Sequence, residues 1–259
     1  TYIMGILNLS PDSFSGDGVE DADAALLKAR QMAADGADII DVGGESTRPG
    51  AAPPSTEQEL RRVIPIVEKL RRELSIPLSV DTYKLEVARQ AVDSGARMIN
   101  DIWGLKKEPR LAELAAQRKI PLILMSNQRD VSPHHDADFP DILSVVIADL
   151  RHSMEQALAS GVPRENIILD PGIGFGKTQE QNLDLLRRLE ELKALGGKGG
   201  VVGISGVPNT LSEAPKQGIK DWFDHVNYCV KLIGIDHVAV GLDVNWQDHV
   251  AMHKMSGMK

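Results

Sequence analysis

Short apolar runs rich in β-branched residues recur about every thirty to forty residues, with helical patterns between them, the mark of repeated βα units. The runs are Ile3–Asn8, Asp38–Val42, Leu78–Asp81, Met98–Asn100, Leu122–Met125, Ile167–Asp170, Val201–Ser205 and His237–Gly241. Between them, apolar residues fall at helical spacing: Leu26, Ala29, Ala33 and Ala37, then Leu60, Val63, Ile64, Val67 and Leu70, then Ile142, Val145, Val146 and Leu150. Gly161 and Pro163 stop the last of these before the sixth strand, and a further helical pattern runs over Gln181 to Leu195. Eight such units predict an α/β chain of the (β/α)8 TIM barrel type, a single domain over residues 1–259 with no linker dividing it.

The strands end on polar residues. They are Asn8, the run Gly43-Gly44-Glu45-Ser46-Thr47-Arg48-Pro49, Asp81, Asn100-Asp101, Asn127 and Asp170. In a parallel barrel all of these converge on one mouth, where sites are built. The stretch Ile167 to Thr178 is the most telling, because its apolar run ends in Asp170 and a Gly-rich turn follows. A carboxylate held there can accept paired N–H bonds from an amino-substituted nitrogen heterocycle. The alternative for any one Asp or Asn is that it caps the helix that follows.

Composition narrows the partners. The 259 residues are 42% apolar and 25% charged, ordinary for a soluble globular chain, and the formal charge of −8 disfavours nucleic acid and anionic membrane. Cys229 is the single cysteine, so no internal disulfide forms, and no spanning run or basic-then-apolar leader is present. Cytoplasmic residence is the expectation. His134, His135, Asp136 and Asp138 read as a solvated loop, and Gly196 to Gly200 as a helix-to-strand joint without the spacing of a nucleotide cradle. Trp222, Phe223 and Tyr228 read as packing residues, and Cys229 as a buried thiol.

The motifs themselves resemble a known family. Met4-Gly5-Ile6-Leu7-Asn8-Leu9-Ser10-Pro11-Asp12-Ser13-Phe14-Ser15 resembles the opening signature of the dihydropteroate synthases. Asp41 to Gly50, Ser79-Val80-Asp81-Thr82, Ile99-Asn100-Asp101-Ile102 and Leu169 to Phe175 are similar to its later motifs, so the resemblance covers about residues 1–198. It implies condensation of a dihydropterin diphosphate with para-aminobenzoate, with magnesium accompanying the diphosphate. By the same resemblance Asn100, Asp170 and Asp81 bind the pterin ring, and Met125 and Phe175 flank it. Asn8 is implied as the magnesium or diphosphate contact. Phe14, Thr47, Arg48, Pro49 and Ser205 are implied around diphosphate and aminobenzoate, and the family is often a homodimer.

The resemblance changes after Lys198. A Ser-Arg-Lys motif at the end of the seventh strand is replaced by Ser205-Gly206-Val207, and an Arg-x-His pair on the eighth by Ala239 and Gly241. Ser126 stands where the family commonly carries His. Residues 199–245 instead resemble the renal-type dipeptidases, and 246–259 a closing helix of the synthase type. Together these imply a chimeric barrel whose last two βα units were exchanged and whose anion site is depleted.

Overall fold

Parallel strands close on themselves in chain order, β1 against β8, in a computed structural model describing residues 2–9, 22–45, 52–132, 137, 139–196, 202–205 and 238–242. For 193, 194, 196, 202–205 and 238–242 the description is of the backbone only. The strands are β1 (Tyr2–Asn8), β2 (Ile39–Gly43), β3 (Leu78–Asp81), β4 (Met98–Asp101), β5 (Leu122–Met125), β6 (Ile167–Asp170), β7 (Val202–Ser205) and β8 (Val238–Leu242). Each expected strand is present, with ends that shift by about one residue, the ordinary uncertainty of an apolar run's boundary.

Helices α1 (Ala22–Ala34), α2 (Thr56–Glu73), α3 (Leu85–Ser94), α4 (Arg110–Arg118) and α5 (Ile142–Ala159) separate the first six strands. The helical pattern over Gln181 to Leu195 is two helices, α6 (Gln179–Arg187) and α7 (Leu189–Gly196). They break at Arg188, whose guanidinium is held by Asp141, Asp184 and Glu191 while the backbone leaves helical geometry. Among the described residues no helix is long and apolar enough to cross a membrane. Phe14, Thr47, Arg48, Pro49, His134, His135, Trp222, Phe223, Tyr228 and Cys229 lie outside the described residues.

Strand side chains alternate between the helix layer and the barrel's interior. Leu7, Ile40, Val42, Leu78, Val80, Ile99, Leu122, Leu124 and Ile167 belong to one continuous apolar cluster with the helices, including Ala29, Val63, Val67, Val87 and Leu143. The residues between them face the interior, and lateral pairing sets their height. Asn8 pairs with Gly43, Gly43 with Asp81, and Asp81 with Asn100, so the last inward residues of four adjacent strands share one level. Met125 and Asp170 pair in the same way on β5 and β6.

Candidate functional site

Gly43 makes the near side of this level compact. A Cβ placed on it would lie 3.5 Å from Asp81 Oδ2 and 3.8 Å from Asn8 Oδ1, so the carboxyl and the amide oxygen turn toward the same spot. One level down, Asp41 is buried and accepts a hydrogen bond from Asn100 Nδ2 at 2.9 Å. That bond orients the Asn100 amide, and its Oδ1 remains available as an acceptor. Burial raises the Asp41 pKa, eased by the neighbouring Ser79 hydroxyl and the Asn100 amide. Asp41 Oδ1 and Ser79 Oγ nevertheless make no hydrogen bond of normal geometry, leaving two polar atoms buried beneath the site.

Asp81 keeps part of its surface open, yet its carboxyl is densely surrounded. Burial, then the charges of Asp41, Glu59, Glu45 and Asp101, push its pKa well above the carboxylate range, and no donor among the described residues offsets them. Across the barrel, Asp170 is also pushed up, to about 6, by burial, with the Gly172 N–H (2.7 Å) and Lys177 pulling the other way. It is therefore largely ionised at neutral pH.

The loop after β6 explains how Asp170 is held. Gly172, Gly174 and Gly176 all take positive φ, at 67°, 85° and 71°. At Gly172 a Cβ would sit 2.2 Å from the Ser126 carbonyl oxygen, and at Gly176 one would sit 2.3 Å from the Gln128 carbonyl carbon. The loop thus lies directly on the chain after β5, and only glycine permits that approach. Lys177, fully buried, fastens the two by donating from Nζ to the carbonyls of Ser126 (2.8 Å), Gly172 (2.8 Å) and Phe175 (3.2 Å). Burial lowers its pKa to about 7, with Asp170 and Asp149 opposing.

The structure gathers Asn8, Asp81, Asn100, Met125 and Asp170 at the carboxyl ends of their strands. Met125 and Phe175 are buried, and the Arg129 guanidinium lies 4.2 Å from the centre of the Phe175 ring. The backbone of Ser205 ends β7. Asp101 and Asn127 instead brace the turns that follow their strands, and neither caps the next helix. Asp101 accepts from the N–H groups of Trp103 (2.9 Å) and Leu105 (2.6 Å), while Asn127 donates to the Ile102 carbonyl (3.0 Å) and accepts from the Arg129 N–H (3.0 Å). Ser126, in place of the expected His, donates to Asp149 at 2.7 Å within a network that includes Gln128 and Lys106.

Sequence reasoning passed over Asp41, Ser79 and Lys177 as site residues. Asp41 and Ser79 carried a signal, since each lies two residues before a selected strand end and so faces the same interior. Among the described residues no three His, Cys, Asp or Glu side chains are arranged to hold a metal ion. Asn8 Oδ1 and the Asp81 carboxyl, both near the Gly43 position, are hard oxygens, which fit an ion carried in largely by a substrate's own phosphates rather than one resident in a protein cage.

A closed (β/α)8 barrel with acids and an amide converging at its carboxyl-end mouth is a small-molecule site of the enzyme-barrel class. The profile of the family described as "Pterin binding enzyme" matches residues 4–237, and the chain belongs to that family. Dihydropteroate synthase of Bacillus subtilis is 49% identical over 197 residues, which cover 76% of this chain and 67% of that protein. The structure of the Clostridium difficile dihydropteroate synthase, solved in the presence of pteroic acid, superposes with a TM-score of 0.79 at 40% identity, covering 99% of this chain and 97% of the other. That of Xanthomonas albilineans dihydropteroate synthase with 4-aminobenzoic acid gives a TM-score of 0.79 at 34% identity, covering 98% and 93%. The family match runs past Lys198 to residue 237, across much of the segment that the sequence suggested was dipeptidase-like, and lends no support to an exchanged pair of βα units.

Proposed function

We propose that this barrel condenses a 6-hydroxymethyl-dihydropterin diphosphate with para-aminobenzoate, a reading supported by relatives named dihydropteroate synthase. One observation carries the reading to particular residues. The Asn100 NH2 is engaged by Asp41, so the Asn100 carbonyl and the Asp170 carboxylate present acceptors at one mouth, where the Asp81 carboxyl, raised in pKa, can accept or donate. Acceptors suit the amino group and ring N–H of a 2-aminopyrimidinone edge, and buried Met125 and Phe175 suit its faces.

The reaction needs no protein nucleophile. The bond from the methylene carbon to the diphosphate oxygen breaks with its electron pair leaving on diphosphate. The aniline nitrogen then bonds to that carbon and releases a proton. The chain's work is to hold the ring by Asp81, Asn100 and Asp170 and to align the amine, a positional effect. Thr47, Arg48 and Pro49, with Phe14, are assigned to aminobenzoate and diphosphate, and Ser205 to diphosphate. Asn8, with diphosphate, is assigned to magnesium, which when bound supplies positive charge to the leaving group.

Turnover should be slow for a synthase, because Gly206, Val207, Ala239 and Gly241 stand where the family carries cations. A lost preorganised donor costs about 10²–10³ in rate. Incubating the protein with the pterin diphosphate, labelled aminobenzoate and magnesium should give labelled dihydropteroate. No product above background at high enzyme concentration eliminates the proposal.

A further inference from the structure

The described residues on either side of the stretch bearing Thr47, Arg48 and Pro49 converge on one ammonium group. Lys84, in the turn after β3, donates from Nζ to Glu45 Oε2 (2.7 Å), to the Pro54 carbonyl (3.0 Å) and to Glu59 Oε2 (2.6 Å). Three acceptors match the three hydrogens of an ammonium. Glu45 precedes that stretch and Pro54 follows it. Glu59, on the buried face of α2, is fully enclosed, and its other oxygen accepts from the Thr82 hydroxyl at 2.6 Å.

Neighbouring contacts tighten the same knot. Tyr83 donates to Glu45 Oε1 at 3.2 Å, and Arg62 donates to the Gly44 carbonyl at 3.0 Å. Gly44 itself is pressed onto α2, since a Cβ there would lie 2.7 Å from Val63 Cγ2 and 2.9 Å from Glu59 Cγ. Ser55 and Gln58 form a reciprocal cap immediately after Pro54, which fixes where α2 begins. An exposed ion pair would contribute little, but here Lys84 is 15% exposed and Glu59 1% exposed, so the geometry is specified rather than incidental.

We propose that Lys84 is a positioning residue for the aminobenzoate half of the reaction. By tying Glu45, Pro54 and Glu59 to one point it sets both flanks of the stretch carrying Thr47, Arg48 and Pro49, and it touches neither substrate. The inference rests on the synthase reading for the role of those three residues, whereas the anchoring rests on the hydrogen bonds alone.

Lys84→Met by itself would strand a buried carboxylate and invites misfolding. The charge-balanced Lys84→Met/Glu59→Gln protein is therefore compared with wild type and with Lys84→Arg. Backbone hydrogen exchange over residues 44–59 should quicken by about tenfold in the double variant, with β4 and β5 unchanged. KM for aminobenzoate should rise about tenfold or more while that for the pterin diphosphate stays within about twofold, since a displaced positioning contact acts on one substrate's alignment. Lys84→Arg should recover most of the aminobenzoate KM. Native exchange over 44–59, or both KM values rising together, overturns the proposal. A wild-type protein that makes no dihydropteroate sinks the synthase reading on that control, and the exchange comparison then decides the anchoring alone.

Discussion

Asp170 sits between two opposing influences, burial that favours its neutral form and the Gly172 N–H and Lys177 that favour its charge, and the balance leaves its pKa at about 6. An acceptor carboxylate that must be ionised to receive two N–H donors loses them once protonated. Pterin affinity, measured by calorimetry on the metal-free protein, should therefore weaken as pH falls through about 6. Asp170→Asn should bind about ten- to a hundredfold more weakly at pH 7.5, the worth of a charge-assisted bond, and should lose that pH dependence. Equal affinity for the two proteins would remove Asp170 from the site. At this scale the strand-end polar residues were legible because chemistry and position coincide in one letter. The Asn100–Asp41 bond was not, since 59 residues separate its partners and only barrel closure brings them together.

At the scale of elements, the loop after β6 shows what patterning reveals and what it hides. Its three glycines announce a turn, but nothing local says that Gly172 and Gly176 press on the chain after β5. Lys177 stands just before α6 with no local sign of its role, yet it is a buried fastener between two loops. Glu59 likewise reads as an acidic first-turn residue of α2, and its burial against Thr82 and Lys84 is a product of packing between helix and strand end. Strand alternation and helix stripes carried the fold because they repeat locally, whereas these links pair single residues far apart in sequence. Gly172→Ala adds a methyl at φ 67° and 2.2 Å from a carbonyl oxygen. It should destabilise the protein by about 3 kcal/mol or more by denaturant unfolding, and should weaken pterin binding as Asp170 is displaced. Unchanged stability would mean the two loops are not in contact.

For the molecule as a whole, several charges are buried around one mouth, and their titration acts on folding. Burial raises Asp41, Asp81, Asp101 and Asp170, the last two to about 6. The folded chain therefore holds protons that the unfolded chain has released, and for Asp101 and Asp170 this contribution to stability is full below about pH 4 and lost as pH rises through about 6. Lys177 has the opposite displacement, down to about 7, so its contribution grows only as pH climbs above that value toward its ordinary range. Near neutrality the contributions of Asp101, Asp170 and Lys177 are at their smallest. Thermal unfolding without ligand should give a higher Tm at pH 5.5 than at pH 7.5, and an equal or lower value would contradict the buried-acid account.

Lateral pairing at the mouth also governs which changes in chain length are survivable. Asn8, Gly43, Asp81 and Asn100 stand level only because each strand brings the right parity to its final residue. Remove one codon upstream within β3, and the hydroxyl of Thr82 is delivered where the acid belonged, while the acid is thrown among helix side chains. A codon added to a helix-to-strand connection on the opposite rim would leave that parity untouched. Insertions and deletions compatible with ligand capture should accordingly cluster at the amino-terminal rim and spare the staves.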